Sequence, residues 1–347
     1  MSVRTGRECF RALSMPEAVT LASGVYRVRA SVPSRSKATA DMVQTDEAFW
    51  TIFSFHFLSG EAFTKADCDA GLTRAVLDAT TARRLFGTTD AVGHTVQLDY
   101  VDYTVAGVVA DVSMLATAAY AQIWVPYTAA GAEAMSWQND TMGPMHAIIL
   151  ARSSADFDAI REETELLRKK YNDGLQDVEV FYRGQPDTQL AYLYRRWYAE
   201  PDVPGVMLRY AIVVIILLLV PAVNLSGMTL SRMRRRMAEI GARKAFGATG
   251  GELMRQVFFE NLVLTLLAGI VGLALSYVAT FALNGFLFSN SMNASLSGET
   301  ALTPGMLLSP WAFIAAFAFC LLMNILSAGI PAWRASRMNI TDAINQR

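Results

Sequence analysis

The sequence contains few of the residues on which enzymes and metal sites depend. It has three cysteines and three histidines among 347 residues, and none of them are spaced as zinc ligands are. The hydrolase motifs G-x-S-x-G and H-E-x-x-H do not occur. No lysine follows a glycine, which excludes the phosphate-binding loop G-x-x-x-x-G-K-[ST]. We therefore predict a protein that is not an enzyme, with no catalytic residue, no metal site and no cofactor of its own.

Positive charge is scarce in the first part of the chain. Residues 1–205 carry 19 Lys and Arg against 26 Asp and Glu, whereas the remainder carries 11 against 5. The hydrophobic content of 53% and the mean hydropathy of +0.28 are high for a soluble protein, and the excess lies after residue 206. The sequence thus predicts two domains in two environments, residues 1–205 and residues 206–347.

The second domain contains three long apolar stretches. A helix needs about 20 mostly apolar residues to cross a bilayer, and residues 206–230, 257–288 and 311–333 meet that length with few charges. Buried helices of soluble proteins are rarely so long and so free of charge. We predict an α-helical transmembrane domain with three spans, the first of them kinked at Pro221 because proline removes a helical hydrogen bond.

The connection at residues 289–310 lacks lysine and arginine altogether. Between the first two spans, by contrast, lie Arg232, Arg234, Arg235, Arg236, Arg243, Lys244 and Arg255. Short loops rich in Lys and Arg stay on the cytoplasmic side, so this connection is predicted to be cytoplasmic and residues 1–205 to be extracytoplasmic.

The first 30 residues also lack the apolar segment of 7 to 15 residues that an export signal needs. Because the external domain must nevertheless cross the membrane, we expect a further span to precede Met1 and to be missing from this sequence.

The external domain shows an α+β pattern of short strands and helices. The predicted strands are residues 74–77, 95–99, 103–109, 123–126, 145–151 and 178–181. The predicted helices are residues 80–86, ending at Gly87, and residues 155–171, which are amphipathic.

The cytoplasmic connection has the composition of a partner surface. Met233, Met237 and Ile240 share one helical face, and the charged residues Glu239, Arg243 and Lys244 lie beside it. Apolar anchors with charged rims are typical of docking helices. The alternative from the residues alone is a topology-setting basic segment that lies on anionic lipid. A nucleic-acid surface is not expected so close to a membrane.

Several motifs resemble those of a known family. Residues 236–248 (RMAEIGARKAFGA), the second span opening at residues 258–261 (FFEN), and residues 331–337 (PAWRASR) closely resemble the signature of FtsX-like permeases. These permeases are the membrane subunits of MacB-type ABC transporters. Residues 79–87, 91–96 and 103–111 resemble their periplasmic core domain. The first 45 residues resemble the family least, and their fold is not predicted.

The resemblance implies an architecture and partners. The family has four spans, the first before the periplasmic domain, and its members reside in the bacterial inner membrane. A separate cytoplasmic ABC ATPase subunit binds the ATP, and the permease forms a homodimer or pairs with a homologous permease. The resemblance places the ATPase-coupling contact on Met237, Glu239, Ile240, Gly241, Arg243, Lys244, Phe246 and Gly247.

Two functions fit this resemblance. In the first, ATP hydrolysis moves the periplasmic domain to export a substrate, which the sequence does not identify, with a periplasmic adaptor as a further partner. In the second, the same movement senses a peptide or activates an external effector such as a cell-wall hydrolase, without transport. Binding of an adaptor or of an enzyme by the external domain would discriminate between them.

Overall fold

A computed structural model describes residues 1–33, 36–114, 116–195, 199–220, 239, 242–243, 246–283, 311 and 313–323. The described residues form two compact units, one containing residues up to Glu200 and the other beginning at Pro201. Each unit is described separately below.

The first unit mixes strands with short helices. Its strands are β1 (Ala18–Ser23), β2 (Tyr26–Val32), β3 (Ser36–Thr45), β4 (Phe57–Gly60), β5 (Arg74–Asp78), β6 (Thr95–Leu98), β7 (Val101–Val109), β8 (Ile123–Pro126) and β9 (Met145–Leu150). Its helices are α1 (Val3–Gly6), which continues as a π-helix over Arg7–Arg11, α2 (Phe49–Ile52), α3 (Lys65–Asp69), α4 (Ala79–Phe86), α5 (Phe157–Asp173) and α6 (Gln189–Tyr194). Short 3₁₀ turns occupy Ala132–Ala134 and Ser154–Asp156.

Seven of these strands form one sheet that closes on itself. The order is β4-β7-β5-β8-β3-β2-β6, and β6 pairs again with β7. β7 pairs with three strands. It is parallel to β5, and it is antiparallel to β6 along its first residues and to β4 along its last residues. β1 and β9 form a separate antiparallel pair. We call the seven strands the closed sheet.

Alternating side chains divide the core into two clusters. Leu77, Ile123 and Val125 belong to the first cluster, together with the inward residues of α4. Their neighbours Val76 and Trp124 point to the opposite face and join the second cluster. This alternation follows from the two-residue period of a strand, and because both of its faces are covered, β8 is apolar throughout.

The second cluster is dominated by aromatic rings. Trp50 lies edge-on to Phe55, Phe63 and Trp124, with centroid distances of 5.0 to 6.0 Å. Trp124 is fully buried. Edge-to-face pairs of this kind add to the stabilisation that burial of the rings provides.

Most of the elements predicted for the external domain are confirmed. β5 to β9 occur within two residues of their predicted bounds, and α4 ends at Gly87, whose φ of 78° is the left-handed geometry of a helix C-terminus. α5 begins two residues later than predicted. The 45 residues without a predicted fold contribute α1 and three strands.

The strand predicted at residues 178–181 is wrong. Side chains of α5 take the backbone groups that a neighbouring strand would need. Asn172 accepts a hydrogen bond from the Val180 N–H at 3.0 Å and donates one to the Val180 carbonyl at 3.0 Å, and Arg168 also donates to that carbonyl at 2.9 Å. The segment is therefore satisfied against a helix without joining a sheet.

A close backbone approach joins β4 to β7. Gly60 lies opposite Gly107, and a Cβ atom on Gly60 would lie 2.2 Å from the Ala106 carbonyl oxygen. Gly60 also has a φ of 64°, a left-handed conformation that glycine adopts without steric cost. Both conditions exclude any other residue at this position.

Asp78 connects β5 to α4 and has an unusual titration. Its carboxylate accepts a hydrogen bond from the Thr81 N–H at 2.7 Å and caps the helix. The side chain is buried, and this burial raises the pKa of Asp78 to about 6. Because the folded state binds the proton more tightly than the unfolded state does, the free energy of unfolding falls as the pH rises through about 4 to 6.

An Asp78→Asn variant should remove that pH dependence, because asparagine keeps the capping acceptor and does not titrate. We expect it to unfold at a higher temperature than the wild type above pH 7, by about 1–3 kcal/mol in free energy of unfolding, and to match it near pH 4. Thermal unfolding of the full chain in detergent, followed by tryptophan fluorescence, measures this difference. Asp158→Asn, at a highly exposed position, is the control. A stabilisation of Asp78→Asn that does not vary with pH would contradict the proposed titration.

The second unit contains long apolar helices. α7 (Val203–Val220) and residues Phe258–Ala279 within α8 (Gly250–Ala282) are long and apolar enough to cross a membrane. α9 (Phe313–Met323) is a shorter apolar helix. These three lie within or near the predicted spans, whereas the number of spans and their predicted ends stay predictions. Pro221 lies outside the described residues.

One contact joins α8 to α9. A Cβ atom on Gly269 would lie 3.3 Å from the ring of Phe317, so the absence of a side chain lets the aromatic ring approach the helix backbone. Small residues allow such approach in lipid, where packing drives helix association.

Candidate coupling site

Four of the eight residues predicted to form the coupling contact are described. These are Glu239, Arg243, Phe246 and Gly247. Met237, Ile240, Gly241 and Lys244 lie outside the described residues, so the predicted apolar face is not tested. The geometry below concerns residues 246–249, which we call the coupling turn, and the residues on either side of it.

The coupling turn begins where a helical segment ends at Gly247. The Phe246 N–H donates to the Ala242 carbonyl at 3.1 Å, and the Ala248 N–H donates to the Arg243 carbonyl at 3.1 Å. Gly247 has a φ of 95°. A left-handed glycine with such a backward hydrogen bond is a common way to end a helix.

The next helix, α8, starts with a capping box directly after this turn. The Thr249 hydroxyl accepts a hydrogen bond from the Glu252 N–H at 3.3 Å, and the Glu252 carboxylate accepts one from the Thr249 N–H at 3.0 Å. This reciprocal pair satisfies two backbone N–H groups at the start of the helix. The bonds from Thr249 hold the pKa of Glu252 below its usual value, so this carboxylate is charged at neutral pH.

Arg243 joins the two sides of the turn. One of its terminal nitrogens, Nη2, lies 2.6 Å from Glu239 Oε1, four residues earlier, and the other, Nη1, donates to Gln256 Oε1 of α8 at 2.9 Å. Arginine can make both contacts because its guanidinium is a rigid planar fork. The Glu239–Arg243 pair is about half exposed and contributes little to stability. The bond to Gln256 is the contact that links the segment before the turn to α8.

Phe246 is the most exposed aromatic side chain in this region. It is 93% exposed, and with Arg243, Gly247, Ala248, Glu252 and Gln256 it lines an open depression of about 430 Å³. An exposed phenylalanine held on a fixed turn between charged groups has the composition of an interface anchor.

Two of the predicted residues contact each other. Glu239 and Arg243 were predicted as part of a charged rim beside an apolar face; the structure shows them bound to each other, and Arg243 also binds Gln256. Their role as an ATPase contact stays untested, and the sequence analysis missed Gln256. The pattern T-x-x-E at Thr249 to Glu252 was a readable signal for the capping box. The Gln256 contact had no such signal, because it depends on the path of the turn.

Among the residues that the structure describes, no three His, Cys, Asp or Glu side chains lie close enough together to hold a metal ion. His146 is partly buried in β9, and burial lowers its pKa to about 4, so it is neutral at physiological pH.

Comparison with known proteins gives matches over most of the chain. Residues 2–167 match the model of the MacB-like periplasmic core domain, and residues 211–340 match that of the FtsX-like permease C-terminal domain. The macrolide export ATP-binding/permease protein MacB of Escherichia coli (strain K12) is 26% identical over 314 residues, and that of Chromobacterium violaceum is 25% identical over 307. Both alignments cover 88% of this chain and 43% of the relative. The chain therefore spans less than half the length of these relatives.

Two solved structures match about half of this chain. The match to the periplasmic region of MacB from Actinobacillus actinomycetemcomitans has a TM-score of 0.40 at 18% identity. It covers 49% of this chain and 74% of the solved chain. The extracellular domain of the transporter YknZ from Gram-positive bacteria has a TM-score of 0.39 at 17% identity, with 49% and 84% covered.

Proposed function

This chain belongs to the FtsX-like permeases of the MacB type, and we propose that it couples ATP hydrolysis by a separate cytoplasmic subunit to movement of its own periplasmic domain. It is an ABC transporter permease by family, and the family resides in the inner membrane with a periplasmic domain. The specific steps below are proposed.

We propose that ATP binds to a partner subunit. The names of the relatives describe ATP binding and permease function in one protein. The 347 residues here contain no phosphate-binding loop. Export of a substrate is the proposed result of the movement. Activation of an external effector by the same movement stays the alternative, and pairing of two permease copies is part of the proposal.

The exposed Phe246 on the coupling turn supports this mechanism most directly. Arg243 binds both Glu239 and Gln256 of α8. A displacement of the coupling turn is therefore transmitted to α8 without first bending the turn. α8 has 33 residues and is about 50 Å long, which exceeds the hydrocarbon thickness of about 30 Å. A rigid helix of that length can carry a displacement from one membrane surface to the other.

Photocrosslinking at Phe246 tests the proposed contact. The full chain, with a photoreactive phenylalanine analogue at position 246, is expressed in the organism that carries the gene and irradiated in intact membranes. We expect an adduct that contains an ABC ATPase, identified by mass spectrometry, because an exposed interface anchor lies within reach of its partner.

The matched control carries the same analogue at Leu166, which is 66% exposed on α5 in the external unit. It should give no ATPase adduct. Absence of an ATPase adduct at position 246, with normal amounts of the protein in the membrane, would contradict the coupling site.

A further inference from the structure

α6 exposes an unusual density of apolar side chains. Leu190, Tyr192 and Leu193 are 44%, 58% and 59% exposed within a helix of six residues. Exposed apolar residues that occur singly, such as Leu166 on α5, are normal on protein surfaces, whereas a contiguous group indicates a binding surface.

A buried ion pair joins the residues that precede and follow α6. The guanidinium of Arg195, directly after the helix, binds both carboxylate oxygens of Asp187, and the two side chains are only 8% and 7% exposed. Arg195 also donates to the carbonyls of Arg183 and Ala199 at 3.2 and 3.1 Å. Separating a buried pair leaves uncompensated charge, so this arrangement holds the two ends of α6 together.

The chain enters the first apolar helix shortly after α6. Eight residues separate Tyr194 from Val203, the start of α7. An extended chain covers at most about 3.6 Å per residue, so this connection is no longer than roughly 30 Å. The sequence QLAYLYRRWY at residues 189–198 combines leucine with tyrosine, tryptophan and arginine, which are the residue types that favour the membrane interface.

We propose that α6 lies in the outer surface of the lipid bilayer, with Leu190 and Leu193, which share one helical face, inserted at the boundary between headgroups and acyl chains and Tyr192 at the edge of that face. The occupant of this surface is lipid, because the covalent path from α6 leads directly into a hydrophobic helix. Such an anchor attaches α6 to the membrane surface. The inference depends on α7 being a membrane helix and does not depend on the ATPase contact.

Spin-label accessibility tests this placement in the full chain. Cys320 is exposed and is first replaced by serine, whereas Cys9 and Cys68 are buried and are left in place. A nitroxide is then attached to Leu193→Cys and, as the matched leucine control, to Leu166→Cys. The protein is reconstituted in nanodiscs of phosphatidylethanolamine and phosphatidylglycerol, and power saturation gives the accessibility of each label to oxygen and to the water-soluble complex Ni(II)EDDA.

We expect the ratio of oxygen to nickel accessibility at position 193 to exceed that at position 166 by about threefold or more, because oxygen concentrates in lipid whereas the nickel complex stays in water. Equal ratios with high nickel accessibility would place α6 in water and overturn the proposal. Low accessibility to both reagents at position 193 would show a protein contact and would also overturn it. A label at Tyr192→Cys repeats the measurement if the first variant is not produced.

Discussion

Replacing Arg243 by alanine is expected to reduce the stimulation of the partner ATPase by at least about tenfold, which corresponds to about 1.4 kcal/mol of coupling free energy. Alanine removes both the bond to Glu239 and the bond to Gln256, so the coupling turn loses its fixed angle to α8. The measurement compares ATP hydrolysis by the purified ATPase with and without the reconstituted permease.

Graded variants separate positioning from loss of charge. Arg243→Lys keeps the charge but cannot reproduce the planar fork, so we expect an intermediate loss. Arg255→Ala removes a cation from α8 without touching the two bonds of Arg243, and should preserve stimulation. Unfolding of the external domain should be unchanged in every variant, because the Glu239–Arg243 pair is exposed and contributes little stability. Full stimulation by a Glu239→Ala/Arg243→Ala double variant would contradict the assignment of this site.

Replacing Gly60 by alanine is expected to destabilise the external domain by more than about 4 kcal/mol, among the largest effects of a single substitution. The new Cβ would meet the Ala106 carbonyl oxygen at 2.2 Å and the Gly107 Cα at 2.9 Å, and these backbone atoms belong to the central strand β7. For a domain of this size the unfolding temperature should fall by about 10 °C or more. Thermal unfolding of the full chain in detergent measures the shift.

Gly71→Ala is a close control for this substitution. Gly71 has a φ of 61°, nearly that of Gly60, but a Cβ atom there would meet no atom within 4 Å. Its replacement should cost only about 1 kcal/mol, the penalty of the left-handed backbone alone. Equal losses for the two variants would mean that backbone conformation, and not contact with β7, accounts for the effect.

The predictable parts of the external domain are those with local signals. β5, β7 and β8 are apolar runs bounded by turns, and α4 ends at a glycine with left-handed geometry. These features depend on propensity and spacing within a few residues. The sequence therefore reveals them without knowledge of what packs against them.

Other parts of the fold depend on distant partners. β3 contains Asp41, which is fully buried and accepts a hydrogen bond from the Tyr120 hydroxyl at 2.8 Å, so its polar residues do not follow the usual pattern of a buried strand. Val180 shows the converse: its segment, residues 178–181 (VEVF), has the alternation of a strand, yet Asn172 binds the Val180 backbone. Neither contact can be inferred from the local sequence, since each joins residues through the folded chain.

The candidate site shows the same division. The family signature located the connection that contains Arg243 and Phe246, and the T-x-x-E pattern at Thr249 to Glu252, which the sequence analysis did not use, could have shown how α8 begins. The bond from Arg243 to Gln256 spans 13 residues across a turn, and only the path of the turn brings the two side chains together. Sequence could thus locate the segment but could not assign Arg243 its positioning role.

The closure of the sheet through β6 and β7 has a consequence for the domain in a crowded compartment. An open sheet has two edge strands, and each exposes unpaired backbone groups to which another chain can add. Within the described residues, the closed sheet leaves only β4 as an edge, and that strand is four residues long. The closed sheet therefore offers neighbouring proteins little template for intermolecular strand addition, whereas the edges of the separate β1–β9 pair lie outside this closure.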